Sequence, residues 1–126
     1  MKSRFSKSWK SSKQPRKQRK YRHNAPLHLK GKFISSHLSK ELKTKYKKRG
    51  ARIRTGDKIK IAKGQFKGKT GKVERIDIKK CKVYVTGIEI IKKDGTKTMY
   101  PIDPSNLVLT ELNVDDKKRV KTLERR

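Results

Sequence analysis

Positive charge is the feature that most constrains this chain. Lys and Arg number 39 against 11 Asp and Glu, a net charge of +28 on 126 residues. Only 30% of the residues are hydrophobic, so the chain can build one small core with tails around it. Repulsion of this size strains a compact monomer unless a polyanion supplies the opposite charge. The composition therefore predicts a nucleic acid as the first partner, with an anionic membrane surface as the second.

The same sequence argues against several other classes of protein. No run approaches the ~18–20 consecutive apolar residues that a membrane span requires, and the basic amino-terminal segment lacks the apolar stretch of a secretory signal. Cys81 is the single cysteine, which excludes a disulfide framework and suits a reducing compartment. His23, His28 and His37 lack the spacing of metal ligands. We expect no metal ion and no cofactor.

The charge is distributed unevenly along the chain. Residues 1–54 contain twenty Lys and Arg and one acid, Glu41, whereas residues 55–110 contain thirteen basic and six acidic residues. This gradient predicts a basic arm, a more balanced folded centre and a short mixed tail. The predicted division is an extended arm at 1–24, a helical segment at 25–49, a β-barrel at 50–112 and a tail helix at 113–126.

Prolines and apolar spacing predict the structure of the first third. Pro15 argues against a continuous helix in an arm that is rich in Ser, Lys, Arg and Gln. Pro26 suits the first turn of a short helix over 26–34. Apolar residues at every fourth position, with Ser39 as a candidate cap, predict a second helix from Leu38 to Lys48 that Gly50 ends.

From residue 55 the apolar period changes to two, which is typical of strands. Short strands at this spacing predict a small closed or partly open barrel of about five strands, so the fold class is mainly β. Asp115 is the candidate cap of a final short helix that ends near Leu123. The predicted strands lie at Ile59 to Ile61, Val73 to Ile78 with a bulge, Cys81 to Val85, the two sides of an Asp94-Gly95 hairpin turn, and Leu107 to Leu112.

A loop punctuated by glycines carries the most information about function. Gly64, Gly68 and Gly71 lie where the chain needs a positive φ or a close backbone approach, and Gly56 with Asp57 forms the turn into the strand before the loop. Phe66 lies among three lysines, an arrangement suited to a stacked base with phosphates alongside. A core position for Phe66 in the barrel is the alternative.

No part of the sequence assembles a catalytic site. Segment 64–70 is one residue short of a nucleotide-binding P-loop and precedes a strand-like run instead of a helix. Cys81 is most simply a small buried apolar residue. The acids of the folded centre lie beside lysines or in turns and form no nucleophile–base pair. We therefore expect no enzymatic activity and no small-molecule substrate.

Two sets of residues resemble a known family. Residues 55–76 resemble the KOW motif of small SH3-like barrels at Gly56-Asp57, Gly64, Lys67-Gly68, Gly71 and Val73. The flanks resemble the large-subunit ribosomal protein twenty-four family at residues 13–20, 25–28, 36–46 and 104–106. The similarity is closest to the archaeal form, whose eukaryotic counterpart is protein twenty-six, and the short carboxyl end favours the same form. Residues 1–12 match no pattern of the family.

The resemblance implies a structural, cytoplasmic protein of the large ribosomal subunit. Members of the family bind large-subunit ribosomal RNA near its 5′ end, act early in assembly and lie beside the exit of the peptide tunnel. Neighbouring large-subunit proteins are further implied partners, and docking of tunnel-exit factors is left open. Two alternatives are a KOW module of a transcription elongation factor and a DNA-compacting architectural protein.

The predicted RNA contacts are cations, polar groups and aromatic rings of the arm, the helical segment and the loop. Tyr21 has no local core, so stacking on a base is favoured over burial. Tyr84 is open between a stacking platform and an ordinary surface position. The full set is Lys13, Arg16, Lys17, Arg19, Lys20, Tyr21, Arg22, His23, His28, Lys30, Lys40, Lys43, Arg52, Arg54, Lys63, Gln65, Phe66, Lys67 and Lys69.

Overall fold

The computed structural model describes residues 5–6, 8–9 and 11–125. Within them the chain combines four α-helices with eight strands. The helices are α1 (Pro15–Asn24), α2 (Leu27–Phe33), α3 (Lys40–Tyr46) and α4 (Lys117–Glu124). The strands are β1 (Ser35–Leu38), β2 (Gly50–Arg52), β3 (Lys58–Ile61), β4 (Thr70–Asp77), β5 (Lys82–Val85), β6 (Glu89–Ile91), β7 (Lys97–Met99) and β8 (Leu107–Glu111).

Six of the strands form one sheet in the order β2-β1-β8-β3-β4-β5, and β6 and β7 form a separate hairpin. Strand β1 runs parallel to β8, whereas its pairing with β2 is antiparallel. Strands β2 and β5 are the edges, so hydrogen-bonded pairing among the described residues leaves the sheet open. A single bridge joins Val83 of β5 to Ile102.

The core lies where the strands alternate between buried and exposed residues. In β3 both isoleucines point inward while both lysines are exposed, as the period of two predicts. Each fully buried aliphatic side chain of this kind contributes roughly 1.5–3 kcal/mol. The buried apolar cluster comprises Ile34, Leu38, Ile53, Ile59, Ile61, Val73, Cys81, Val83, Val85, Ile88, Ile102, Leu107 and Leu109.

Residues 15–24 are helical, so the prediction of an extended arm is wrong for this part of the chain. Pro15 occupies the first turn of α1, where a missing N–H is harmless and the fixed φ suits the helix. The proline therefore begins the helix instead of interrupting it. Lys, Arg and Gln, which dominate α1, are good helix formers. No residue of α1 is buried.

The predicted helical segment at 25–49 is interrupted by a strand. Helix α2 forms close to the predicted bounds, but Leu38 belongs to β1 and is 1% exposed. Helix α3 begins after Ser39, whose side chain accepts a hydrogen bond from Leu42 N at 3.4 Å. It ends at Tyr46 because Lys47 adopts a left-handed conformation with φ 52. The predicted stop at Gly50 is therefore wrong.

Local patterns predicted the bulge and the hairpin correctly. The register of β4 against β5 shifts between Val73 and Arg75. The turn between β6 and β7 contains Gly95 with φ 81, and the Asp94 carboxylate accepts hydrogen bonds from Thr96 Oγ1 at 2.6 Å and Thr96 N at 2.9 Å. These bonds, the side-chain one first, hold the pKa of Asp94 below its ordinary value.

A buried ion pair fixes α4 to the corner before β3. Asp57 is 0% exposed and receives two hydrogen bonds from Arg119, at 2.6 and 2.7 Å. The same carboxylate accepts from the backbone N of Arg54 at 2.8 Å and of Asn113 at 2.9 Å. Arg119 also donates to the carbonyl of Arg52 at 3.2 Å. The tail is thus part of the folded unit.

The helix α4 is capped by Asp116 and not by the predicted Asp115. The Asp116 carboxylate accepts a hydrogen bond from Lys118 N at 2.8 Å.

In the part of the chain that the structure describes, no helix has the length and apolar character needed to cross a membrane.

Candidate RNA-binding surface

Helix α1 presents a cationic surface to solvent. Its five Lys and Arg side chains are exposed and no acid lies in the helix. Lys13 is exposed immediately before it. A helix with this composition and no buried residue offers charge and little packing. The cations of α1 are Arg16, Lys17, Arg19, Lys20 and Arg22.

Tyr21 of α1 belongs to an aromatic cluster, so the expectation that it lacks a packing partner is wrong. Its ring stacks on Trp9 with centroids 4.3 Å apart and lies 4.9 Å from the ring of Phe5. Phe33 of α2 meets it edge-on at 6.3 Å, and Arg22 Cζ lies 5.9 Å from the Phe33 centroid. The helical form of α1 brings these rings together, which an extended arm would not do.

A basic groove opens between α1, α2 and the turn that joins β4 to β5. Its volume is about 800 Å³. The predicted contacts Arg19, Arg22, His23 and Lys30 line it. The remaining lining residues are Leu27, Lys79, Lys80 and Cys81.

Lys79 and Lys80 are absent from the predicted set. Lys30 Nζ donates to the carbonyl oxygen of Lys79 at 3.4 Å, and the Asp77 carboxylate accepts from the backbone N of Lys80 at 3.0 Å. The first bond joins the turn to α2, and the second lies within the turn itself. The sequence does show two successive lysines between two predicted strands, but it does not show that α2 lies next to them.

Several predicted contacts lie outside this groove. Lys40 and Lys43 are exposed on α3, and His28 is exposed on α2. Arg52 lies against α2, because a Cβ atom added to Gly31 would come within 2.6 Å of its Nη2 atom. The structure therefore does not gather the predicted cations into one surface.

Arg54 is paired with an acid. Its guanidinium forms an ion pair with Asp116 at a position where both side chains are exposed. The hydrogen bond from Arg54 makes the largest contribution to lowering the pKa of the Asp116 carboxyl. Asp116 offsets part of the charge of Arg54, so we expect Arg54 to attract phosphate less strongly than the cations of α1, a helix that contains no acid.

The loop between β3 and β4 is closed by its own backbone. Gly68 N donates to the Ile61 carbonyl at 2.8 Å, and Ile61 N donates to the Lys69 carbonyl at 2.9 Å. Gly64 and Gly68 have positive φ, as does Gly56 before β3. The exposed side chains of this rigid loop are Lys63, Gln65, Lys67 and Lys69.

Gly71 is a glycine that a close backbone approach requires. Its φ is not positive, but an added Cβ would lie 2.6 Å from Val85 Cγ1 and 2.8 Å from the Thr86 carbonyl oxygen. The close approach of β4 to β5 therefore requires glycine there. Both predicted roles of the loop glycines are confirmed.

Phe66 packs partly against the protein. Its ring lies 5.2 Å from that of Tyr100, and it contacts the buried cluster from the edge. Lys69 Nζ lies 5.3 Å from the ring centroid. The predicted loop position is therefore confirmed, and the ring packs against the edge of the core without being part of the buried cluster. Contact with RNA through Phe66 stays a prediction.

One face of the Tyr84 ring is occupied by an arginine. Arg75 Cζ lies 4.3 Å from the centroid of the ring. That face is not open to a base, and stacking through the other face stays an open alternative to an ordinary surface position. Among the residues that the structure describes, no three His, Cys, Asp or Glu side chains come together as metal ligands.

The loop and the basic groove lie at opposite ends of one strand. The loop precedes β4 and the Lys79-Lys80 turn follows it. Because a strand rises about 3.3 Å per residue and β4 has eight residues, the two surfaces are separated by about 25 Å. A ligand that contacts both is a macromolecule.

Comparison with known proteins identifies the family. Residues 12–126 match the family described as ribosomal proteins L26 in eukaryotes and L24 in archaea. Three similar relatives are each named large ribosomal subunit protein uL24. That of Methanoculleus marisnigri is 48% identical over 112 residues, 89% of this chain and 93% of the relative.

The other two relatives extend the same result. The protein of Methanocorpusculum labreanum is 47% identical over 114 residues, 90% of this chain and 94% of the relative. That of Methanothrix thermoacetophila is 46% identical over 114 residues, 90% of this chain and 98% of the relative. The resemblance predicted from residue 13 onward is thereby confirmed. The chain belongs to the ribosomal protein family whose eukaryotic members are called L26 and whose archaeal members are called L24.

Proposed function

We propose that this chain is a structural constituent of the cytoplasmic large ribosomal subunit that binds ribosomal RNA directly. The observation that carries the proposal is the pair of cationic surfaces at the two ends of β4, about 25 Å apart on an eight-residue strand. Relatives named large ribosomal subunit proteins support the ribosome as its setting. Ribosomal RNA and neighbouring large-subunit proteins are the proposed partners.

Phosphate neutralisation is the proposed source of affinity. The cations of α1 and the basic groove release counterions from RNA, with a log–log salt slope of about 0.9 per phosphate on a duplex and about 0.7 on a single strand. The closed backbone of the loop fixes the points from which the Lys63, Lys67 and Lys69 side chains project, which suits recognition of RNA shape.

Finer features of the proposal rest on the resemblance. They are an SH3-like form of the sheet, contact near the 5′ end of the RNA, an early role in assembly, a position beside the tunnel exit and docking of tunnel-exit factors. The division of the chain rests instead on the charge gradient: we propose a basic amino-terminal segment, a folded centre and a tail, with residues 15–24 helical and residues 25–49 interrupted by β1. No enzymatic step belongs to the proposed role.

Binding of the full chain to two transcripts tests the proposal. Large-subunit and small-subunit ribosomal RNA segments of equal length are titrated across a series of KCl concentrations. We expect tighter binding to the large-subunit segment and a steep salt slope. The loop variant Lys63→Ala/Lys67→Ala should weaken binding and reduce the slope by about 1–2.

The hairpin variant Lys92→Ala/Lys93→Ala removes the same charge from exposed positions and serves as the matched control. It should leave the preference between the two transcripts unchanged. Equal affinity for both transcripts would overturn the proposal. Tighter binding to a DNA duplex of equal length would favour the architectural alternative, and co-purification with RNA polymerase would favour the elongation alternative.

A further inference from the structure

The basic groove between α1, α2 and the β4–β5 turn has an exposed apolar side chain among its cations. Leu27 is 56% exposed, whereas Cys81 is 6% exposed. Both line the groove together with Arg19, Lys30 and Lys79. A ligand that is apolar on one side and anionic on another would bury Leu27 and neutralise the surrounding cations at the same time.

We propose that this groove holds an unpaired nucleotide of the bound RNA, with its base against Leu27 and its phosphates on the surrounding cations. The inference rests on the proposed function and adds that this site binds an unpaired nucleotide and not duplex RNA. In a duplex the base faces are stacked inside the helix, so paired RNA offers Leu27 sugar, phosphate and base edges but no base face. A bulged or looped-out nucleotide offers a base face as well.

The dimensions of the groove agree with this ligand. The groove is broad and open to solvent, and its volume of about 800 Å³ leaves room for a base together with its phosphate. The walls come from three elements, with Arg19 and Arg22 on α1, Lys30 on α2 and Lys79 and Lys80 in the turn. Guanidinium planes also stack on bases, so α1 supplies both charge and a stacking surface.

Charge complementarity favours RNA over a protein segment as the occupant. The groove lining contains five Lys and Arg residues and His23 but no acid. Phosphodiesters carry one charge per nucleotide and are spaced so that several of these cations find a partner. An acidic peptide is the competing occupant, and the experiment below includes it.

Competition binding with two RNA hairpins of identical stem tests the inference on the full chain. One hairpin is fully paired and the other carries a single extrahelical nucleotide. We expect the wild type to bind the bulged hairpin about five- to tenfold more tightly at moderate salt. Leu27→Ser should abolish that preference while keeping the affinity for the paired hairpin, and because Leu27 is exposed the thermal midpoint should stay unchanged.

Two further variants separate the base contact from the phosphate contacts. Lys79→Ala/Lys80→Ala should weaken binding to both hairpins and reduce the salt slope. Ile91→Ser removes another exposed apolar residue, 67% exposed on β6, and should change nothing. With 4-thiouridine as the extrahelical nucleotide, irradiation should crosslink it to peptides that contain residues of the groove.

Equal affinity of the wild type for the two hairpins would overturn the inference, as would a preference that survives Leu27→Ser. Displacement of the bulged hairpin from the groove by a poly-Glu peptide at comparable affinity would assign the groove to an acidic protein segment instead. These failures leave the proposed function standing if the large-subunit transcript is still preferred. Loss of that preference as well would overturn both.

Discussion

Helix α1 buries none of its ten residues, whereas β3 buries both of its isoleucines, at 0% and 2% exposure. The sheet is therefore stabilised by apolar burial that needs no partner. Isolated helices shorter than about 12–15 residues are marginal in water, so we expect α1 to depend on its aromatic contacts and on an anion that neutralises its cations. Helix α1 therefore combines a high density of positive charge with no buried residue.

The ion pairs show the same contrast. Asp57 and Arg119 are buried with side-chain exposures of 0% and 6%, whereas Arg54 and Asp116 are exposed at 45% and 41%. Removing one partner of a buried pair leaves an uncompensated charge in the interior. Removing one partner of an exposed pair lets water replace it. The contrast predicts effects of very different size at positions that are close in sequence.

The largest effect is expected for Asp57→Ala. This change leaves the Arg119 guanidinium buried without its carboxylate, which should cost about 3–5 kcal/mol of the free energy of unfolding. Urea denaturation followed by circular dichroism measures it. The double variant Asp57→Leu/Arg119→Met should recover only part of the loss, because it removes both charges but leaves the backbone N–H groups of Arg54 and Asn113 without their acceptor. A loss below about 1 kcal/mol for Asp57→Ala would contradict the structural importance of the pair.

Phe66→Ala should have the second largest effect. The ring is half-buried against Tyr100 and the edge of the core, so we expect a loss of about 1.5–2.5 kcal/mol, roughly half the cost at a fully buried Phe. Thermal unfolding measures the change, and Phe66→Leu should keep most of the stability. An unchanged thermal midpoint would mean that the ring serves RNA binding alone.

Tyr21→Ala should loosen α1 without affecting the sheet. Aromatic pairs contribute about 0.5–1.5 kcal/mol beyond burial, and here that energy holds α1 against α2. Trp9 is the single tryptophan of the chain, so its fluorescence reports the stack directly. We expect a red shift and stronger quenching by iodide, with the cooperative unfolding of the sheet preserved.

Lys17→Ala is the matched control for that experiment, because it changes an exposed residue of the same helix. It should leave the Trp9 spectrum as it is in the wild type. If Tyr21→Ala also leaves the spectrum unchanged, the stack does not hold α1. If the variant instead lowers the unfolding midpoint of the sheet, α1 is part of the same cooperative unit and the comparison fails.

The smallest effect is expected for Asp116→Asn. The hydrogen bond from Arg54 lowers the pKa of Asp116 from its ordinary value of 3.8, so the stabilisation is present above that pH and is lost as the pH falls through the lowered pKa. The variant should therefore differ slightly from the wild type at neutral pH and converge with it in acid. A difference that grows in acid would contradict this assignment.

Local patterns carried the sequence predictions that succeeded. Three of them depend only on residues that are neighbours in the sequence, and the structure agrees with each. They are the alternation of Ile59 and Ile61, the Asp94-Gly95 turn and the glycines of the loop. The KOW-like stretch and its flanks led to the correct family for the same reason, since motif residues are read directly from the sequence.

Predictions failed where contacts join distant parts of the chain. Strand β1 pairs with β8 some seventy residues later, as His37 with Val108, and no local period marks the short segment that forms it. Asp57 pairs with Arg119 across 62 residues. Lys79 joins the basic groove because α2 packs beside it. Pro15 lies in the first turn of α1, and the sequence alone does not show where a proline lies relative to the start of a helix.

Hydrogen exchange of the full chain, alone and with the large-subunit transcript, tests the central comparison most directly. The account predicts that amides of Arg19 to Asn24 exchange orders of magnitude faster than those of Ile59 and Leu109 in the free protein, and that RNA slows them strongly while the sheet amides change little. Protection of α1 equal to that of the sheet in the free protein would contradict the account. So would RNA that leaves the exchange of α1 unchanged.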